Sequence, residues 1–238
     1  MHRFYALRLD ESHAALSQEE ASHALKVLRL REGDECQALM EGEIYAAVLE
    51  KTEPEVILQL GEKLPSPEAQ VKVTLYQGLP KGDKMEFITQ KCTEGGVYAI
   101  TPVLFSRCVV KWEKKDNEKK LPRWQRIAQE AGKQSGRAIT PEIHAPLTLK
   151  ELCGEIKKHE LALVPWEEEK GNGIRKNWQG QKDVAIVIGP EGGMSEEEIA
   201  LLKEAGAVPV TLGPRILRTE TAGMAALFSL LTLSGDME

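Results

Sequence analysis

Short runs in which apolar and polar residues alternate fill the first quarter of the chain, and longer apolar runs with helical spacing follow. Alternation over residues 4–9, 35–40, 43–49 and 55–60 predicts four strands. Turn-forming groups separate them, namely Glu32-Gly33-Asp34, Glu41-Gly42 and Thr52-Glu53-Pro54, at the spacing of a small antiparallel barrel or sheet. One helix interrupts the strands. Ser17 with Glu20 three residues on reads as a capping box, and Ala21, Leu25 and Leu28 then recur at helical spacing. Leu64-Pro65-Ser66-Pro67 ends the region, because two prolines stop both a helix and a central strand. A boundary near Ser66 is expected, with domains 1–67 and 71–238.

Beyond it, strands and helices alternate. A buried strand at 71–77 leads to a helix at 83–93 that ends at Gly95-Gly96. A strand at 97–105 leads to a helix at 122–135 that begins with a proline. A helix at 147–158 precedes a strand at 161–165, and strands at 184–188 and 208–212 each run into a glycine-bearing loop. Residues 111–120 read as a solvated stretch. The alternation predicts an α/β layer with a largely parallel sheet. The longest apolar runs, 184–188 and 222–233, fall short of the roughly 18 residues a membrane span needs. The opening residues carry no apolar signal core, so a cytoplasmic protein is expected.

Charge changes this picture. The 238 residues have a formal net charge of −6, which by itself argues against a nucleic-acid partner. The distribution reverses that reading. Residues 1–70 hold 7 Lys/Arg and 14 Asp/Glu, whereas residues 81–137 hold 13 Lys/Arg and 7 Asp/Glu, so a basic face fits inside an acidic protein. Arg123, Arg126 and Lys133 share one helix face, suited to backbone phosphates or simply solvated. Cys36, Cys92, Cys108 and Cys153 form no zinc spacing and read as reduced filler. The five histidines show no ligand pairing, so no metal is implied.

The two glycine-bearing loops sit where open α/β sheets bind ligands, beyond the carboxyl ends of strands. Gly189-Pro190-Glu191-Gly192-Gly193 is followed by Ser195 and three glutamates, a capping box with acidic first-turn charge. Carboxylates there compete with a phosphate, and no dinucleotide or nucleoside-triphosphate motif is present, so a neutral or cationic ligand fits better than a phosphate. A simple tight turn is the competing reading. In the second loop Arg215 and Arg218 bracket Ile216-Leu217. The apolar pair suits a flat heteroaromatic ring and a guanidinium suits an anionic oxygen. Alternatively Arg218 and Glu220 form only a local pair. Glu94, at the end of the helix predicted over 83–93, is unfavourable to the helix dipole, which suits either a specific partner or an exposed end.

These residues together resemble the RsmE family. The resemblance rests on Lys81-Gly82-Asp83-Lys84-Met85-Glu86, Thr93-Glu94-Gly95-Gly96-Val97, Ile188-Gly189-Pro190-Glu191-Gly192-Gly193 and the run from Leu212 through Arg215-Ile216-Leu217-Arg218-Thr219-Glu220-Thr221 to Ala222. His23-Ala24-Leu25-Lys26-Val27-Leu28-Arg29 and Glu130-Ala131-Gly132-Lys133-Gln134-Ser135-Gly136-Arg137 extend it over essentially the whole chain.

The resemblance implies a PUA-like β-barrel that helps hold RNA, then a SPOUT-type parallel-sheet domain with a C-terminal trefoil knot, assembled as a homodimer. It implies an S-adenosylmethionine-dependent methyltransferase acting on N3 of a uridine in 16S ribosomal RNA of the small subunit. Leu163, Val164 and Pro165 would end a knot strand and belong to the cofactor-binding set. Ile188, Gly189, Pro190, Glu191, Gly192, Gly193, Leu212, Gly213, Ile216, Leu217, Arg218 and Thr219 would form the cofactor pocket. Whether Trp166 covers the adenine stays open. Arg218 is the expected anion-stabilising group, with Glu220 or Glu94 as base or orienting partner. Arg3, Lys26, Arg29, Lys81, Lys84, Arg123, Arg126 and Arg137 are the expected RNA contacts. A non-catalytic ribosome-assembly protein and a SPOUT enzyme acting on transfer RNA are the competing functions.

Overall fold

Inward apolar and outward polar positions along β1 (His2–Arg8), β2 (His13–Leu16), β3 (Glu35–Met40), β4 (Glu43–Lys51) and β5 (Ile57–Leu64) close a five-stranded barrel, in the order β1-β2-β5-β4-β3. The computed structural model describes residues 1–40 and 42–237. Phe4, Ala38, Leu49 and Leu58 fill the barrel interior. β1 pairs with β3 in parallel, and the remaining ladders are antiparallel. The Glu41 half of the expected Glu41-Gly42 turn lies outside the described residues.

Two expectations change here. β2 has too few alternating positions to stand out in the sequence. Ser17 does cap α1 (Gln18–Ser22) by accepting from the Glu20 backbone, but the Glu20 side chain does not reach back. It is buried and pairs with Lys133 at 2.5 Å, so a capping partner became half of an ion pair. A π-helical turn, His23–Val27, then carries the chain to Arg29, whose φ of 57° is left-handed.

The chain divides into two units, Met1–Glu68 with Gly132–Ile139, and Ala69–Ala131 with Thr140–Glu238. The return of residues 132–139 to the barrel unit has no local sequence signal. Glu68 explains it. Its carboxylate pairs with the buried Arg137 at 2.6 Å and accepts from the backbone N–H groups of Ala138 and Ile139 at 2.7 and 3.0 Å. Ala138 packs with Leu39 and Ile44.

The second unit is built on seven strands, all paired in parallel. β6 (Lys72–Gly78), β7 (Ala99–Leu104), β8 (Glu142–Ile143), β10 (Leu161–Pro165), β11 (Asp183–Ile188) and β12 (Val208–Val210) lie in the order β12-β10-β11-β6-β7-β8, and β9 (Leu147–Thr148) also pairs with β7. β6 and β11 are almost wholly buried, as a sheet covered on both faces requires. Their side chains alternate between two cores. Val73, Leu75, Val184 and Ile186 meet residues of α2 (Lys84–Glu94), α3 (Lys114–Ser135), α5 (Ile174–Asn177) and α7 (Thr219–Ser234). Tyr76, Ala185 and Val187 meet α4 (Leu149–Glu155) and α6 (Glu196–Glu204) on the other face.

α3 begins eight residues before Pro122, not at it, so part of the stretch read as solvated is helical. Trp124 and Ala128 anchor it in the core, and Trp112 packs against Trp124 at 5.6 Å. Tertiary burial therefore outweighs the backbone bond that an internal proline forfeits. The helix expected over 147–158 is a short strand followed by α4 and a 3₁₀ turn. The four cysteines are free thiols. No helix among the described residues is long and apolar enough to cross a membrane.

Truncating Glu68 strips the buried Arg137 of this carboxylate, a change that typically costs about 3–5 kcal/mol. Glu68→Ala should therefore lower the urea midpoint of the barrel unit strongly in far-UV circular dichroism, and Glu68→Gln, which keeps an acceptor, should lower it less.

Candidate active site

The carboxyl ends of β10, β11 and β12 open into a cleft of about 1070 Å³. Its walls come from the loops after those strands together with Lys81, in the loop after β6, and Lys84, the first residue of α2. Ile188, Met194, Leu212 and Leu217 supply apolar surface, and Trp166 lines the cleft as well. β12 ends at Val210, two residues earlier than the sequence indicates, which frees Leu212 and Gly213 for the wall. Gly213 has a φ of 103°, a conformation that side-chain-bearing residues rarely adopt.

A strand, a loop and a helix start are tied together at this cleft. The Thr219 hydroxyl donates to the Gly189 carbonyl at 2.7 Å and accepts from the Gln77 amide at 2.8 Å. Gln77 is fully buried, and its amide nitrogen also donates to the Gly78 carbonyl at 3.1 Å. Gly78 lies so close to the next loop that a Cβ there would sit 2.4 Å from the Pro190 nitrogen. The far end of residues 189–193 is held by Glu198, which accepts from the Ser195 and Ser106 backbones at 2.8 and 2.7 Å. Arg107 donates to the Gly192 carbonyl at 3.1 Å. The loop is thus fixed at both ends before any ligand arrives.

A row of charges crosses the cleft mouth. Lys84 Nζ lies 3.0 Å from Glu191 Oε1 and 3.2 Å from Glu220 Oε2, and Glu220 Oε1 lies 4.0 Å from Arg218 Nη1. Lys84 and Glu220 are largely sheltered, with 25% and 16% side-chain exposure, whereas Arg218 is 83% exposed. Hydrogen bonding to Glu191 raises the Lys84 pKa against burial, and Glu220 adds to that. Burial alone would raise Glu191. Its own backbone N–H, Lys84 and the Lys81 backbone outweigh that effect and hold the carboxyl below the usual range. A depressed carboxyl is protonated only as pH falls through its lowered value, and a raised ammonium is lost only as pH rises through its elevated one. The Lys84–Glu191 pair is therefore charged on both sides at neutral pH.

Comparison with known proteins identifies this arrangement. Residues 67–231 match an RNA methyltransferase domain, and residues 16–60 match an RNA methyltransferase PUA domain. The chain is 35% identical to the ribosomal RNA small subunit methyltransferase E of Bacillus subtilis (strain 168), over 91% of this chain and 88% of that one. It is 32% identical to the protein of that name from Aquifex aeolicus (strain VF5), over 97% and 99%. The chain belongs to the RsmE family. A crystal structure of an RsmE relative from Neisseria gonorrhoeae, bound to S-adenosyl methionine, is 31% identical and superposes with a TM-score of 0.84 over 98% of each chain. The barrel and the parallel-sheet unit are thus the PUA-like and SPOUT-type parts of an RsmE chain.

In this RsmE chain the cleft gathers Pro165, Ile188, Gly189, Pro190, Glu191, Gly193, Leu212, Gly213, Ile216, Leu217, Arg218 and Thr219. Leu163 and Val164 do not reach it. They are core residues of β10, on opposite faces of the sheet. Gly192 turns toward Arg107 instead. Glu94 is not brought to the cleft either. It ends α2, about 15 Å along the helix from Lys84, and pairs with Lys91 at 2.8 Å.

Several expected RNA contacts are occupied within the chain. Arg137 is buried on Glu68, Arg3 donates to Gln37 and to the Gly136 carbonyl, and Lys84 bridges its two carboxylates. Arg123 and Arg126 are exposed but paired with Glu86 and Glu130. Lys26, Arg29 and Lys81 are exposed and make no side-chain bond among the described residues. Gln77, Arg107 and Met194 also shape the site, and a buried strand glutamine, a lone loop arginine or a lone methionine has no sequence pattern to mark it.

Thr219→Val removes both bonds of the central tie, and about 1–3 kcal/mol of local stability should go with them. Amide exchange of residues 189–193 should accelerate, while exchange in the strands of the barrel stays as it was.

Proposed function

We propose that this RNA methyltransferase uses S-adenosylmethionine to methylate N3 of a uridine in 16S ribosomal RNA of the small subunit. The observation that carries the reading is the pairing of an apolar-walled cleft, whose neighbouring helix N-terminus is already capped, with the largely exposed Arg218 at its mouth. The cleft fits the cofactor on structural grounds. The α6 N-terminus that would attract a phosphate is already occupied by the Ser195–Glu198 capping box, while apolar walls and exposed loop backbone suit an adenine. Residues 188–194 and 211–219 would hold it. Bound there, it supplies a methyl group on a sulfonium, with a thioether as the leaving group.

This chain's residues then have two tasks. Neutral uracil N3 carries a proton and is a poor nucleophile, so the proton must leave as charge spreads to O2 and O4. Arg218 is the group for that charge, because its exposed guanidinium is 4.0 Å from its nearest carboxylate and Glu220 is nearer to Lys84. Glu220, sheltered beside it, is the group to accept or orient the N3 proton. Holding the two reactants about 3–3.5 Å apart contributes much of the remaining acceleration.

RNA phosphates are assigned to Lys26, Arg29 and Lys81, joined by Arg123 and Arg126 when their surface pairs open, since such exposed pairs are worth at most about 1 kcal/mol. Further parts of the reading are a cytoplasmic homodimer with a trefoil knot. The strand order β12-β10-β11 and the packing of α7 back onto β11 and α5 support the knot. The division of labour is residues 1–67 for RNA and 71–238 for cofactor and transfer.

Arg218→Ala should reduce methyl transfer to ribosomal RNA by at least a hundredfold while calorimetry still detects cofactor binding. Near-normal turnover would remove Arg218 from the mechanism. RNA affinity should fall steeply with salt, and salt-independent binding would sink the phosphate assignments.

A further inference from the structure

Lys84 belongs to the basic stretch that suggests RNA contacts, yet its surroundings assign it another task. Its ammonium sits between Glu191 from the loop after β11 and Glu220 from the start of α7. Glu191 is itself anchored by the Lys81 backbone N–H at 3.1 Å. We propose that Lys84 is a positioning residue for methyl transfer, bridging Glu191 and Glu220 so that the Glu220 carboxylate is held in place beside Arg218. The proposal rests on the reading that Glu220 acts on the N3 proton.

Three observations support it. First, Glu220 has no closer cation among the described residues. Arg218 Nη1 is 4.0 Å from one oxygen, whereas Lys84 is 3.2 Å from the other. Second, that second oxygen is buried and has no better-placed partner among the described residues, so the ammonium 3.2 Å away is the charge that offsets its burial. Third, the other charges on elements packed against α7 are engaged elsewhere or distant. On α2, Glu86 holds Arg123 and Glu94 holds Lys91. On α5, Lys176 donates to the Gly171 carbonyl, and Arg175 is exposed. Lys72 and Asp183 open β6 and β11, at the ends of those strands away from the cleft. Without Lys84, Glu191 and Glu220 would face each other as like charges, which disfavours ionisation of both. The raised Lys84 pKa is what a cation held by two carboxylates shows.

The test compares wild type, Lys84→Met, Lys84→Arg and Glu220→Gln by methyl transfer to ribosomal RNA across pH, with cofactor affinity by calorimetry and RNA affinity at several salt concentrations. Lys84→Met should lower kcat about tenfold at neutral pH and move the acid-side fall of turnover upward by about one pH unit, with the salt slope of RNA binding unchanged. Lys84→Arg should restore most of the rate and the original pH profile. If Lys84→Met does not fold, an unmoved profile in Lys84→Arg alongside a shifted one in Lys84→Gln serves the same purpose. A Lys84→Met enzyme with a wild-type pH profile overturns the proposal. It becomes a phosphate anchor if the salt slope also falls by about 0.7–0.9, the loss of one contact. Glu220→Gln separates the two levels: wild-type behaviour there defeats the Glu220 reading itself, whereas an impaired Glu220→Gln beside an intact Lys84→Met defeats only the role of Lys84.

Discussion

The Thr219 hydroxyl stands between the Gly189 carbonyl and the Gln77 amide, and the geometry of the cleft follows from that position. Parallel strands deliver their carboxyl ends to one edge, but the loops that leave them have no ladder to hold them. Here a buried side chain of β6, a carbonyl after β11 and the first residue of α7 share two hydrogen bonds. Gly78 lets the Pro190 backbone come close enough for the contact to form. Buried polar groups are costly when unpaired, so such a tie defines one arrangement of the loops rather than several. Cofactor and RNA would then meet a cleft already shaped, and less ordering entropy is lost on binding.

Charge is organised by the same economy of partners. The chain is acidic, and many of its cations serve internal carboxylates: Arg137 serves Glu68, Lys133 serves Glu20, and Lys84 serves Glu191 and Glu220. The basic stretch visible in the sequence is therefore a poorer guide to RNA contacts than its count implies. Arg218 differs from those three paired cations in being 83% exposed, with its nearest carboxylate 4.0 Å away. In the proposed reaction that exposure leaves its guanidinium for an oxygen that becomes anionic, which is where electrostatic stabilisation counts most.

Features set by local physics were legible in the sequence. The Ser195–Glu198 capping box forms in both directions, β3 spans residues 35–40 as the alternation indicates, and β10 spans 161–165. The glycine loops lie at strand ends, as the alternation of strands and helices requires. Features set by distant partners were not legible. Glu20 looks like a capping residue until Lys133 is brought to it. Pro122 looks like a helix start because the burial of Trp124 and Ala128 that sustains the longer helix is tertiary. Residues 132–139 join the barrel unit through Glu68, more than sixty positions earlier. The RsmE motifs marked most of the cleft wall, but they also carried in Glu94, which the length of α2 keeps away, and Gly192, which serves Arg107.

The central claim is that this cleft delivers a methyl group to N3 of a uridine in small-subunit ribosomal RNA. Small subunits from cells lacking the protein, incubated with it and isotopically labelled S-adenosylmethionine, test it most directly when the RNA is digested and its nucleosides are separated. The account predicts label in 3-methyluridine from a single site of 16S ribosomal RNA. Label in a different nucleoside, in transfer RNA, or in none would contradict it.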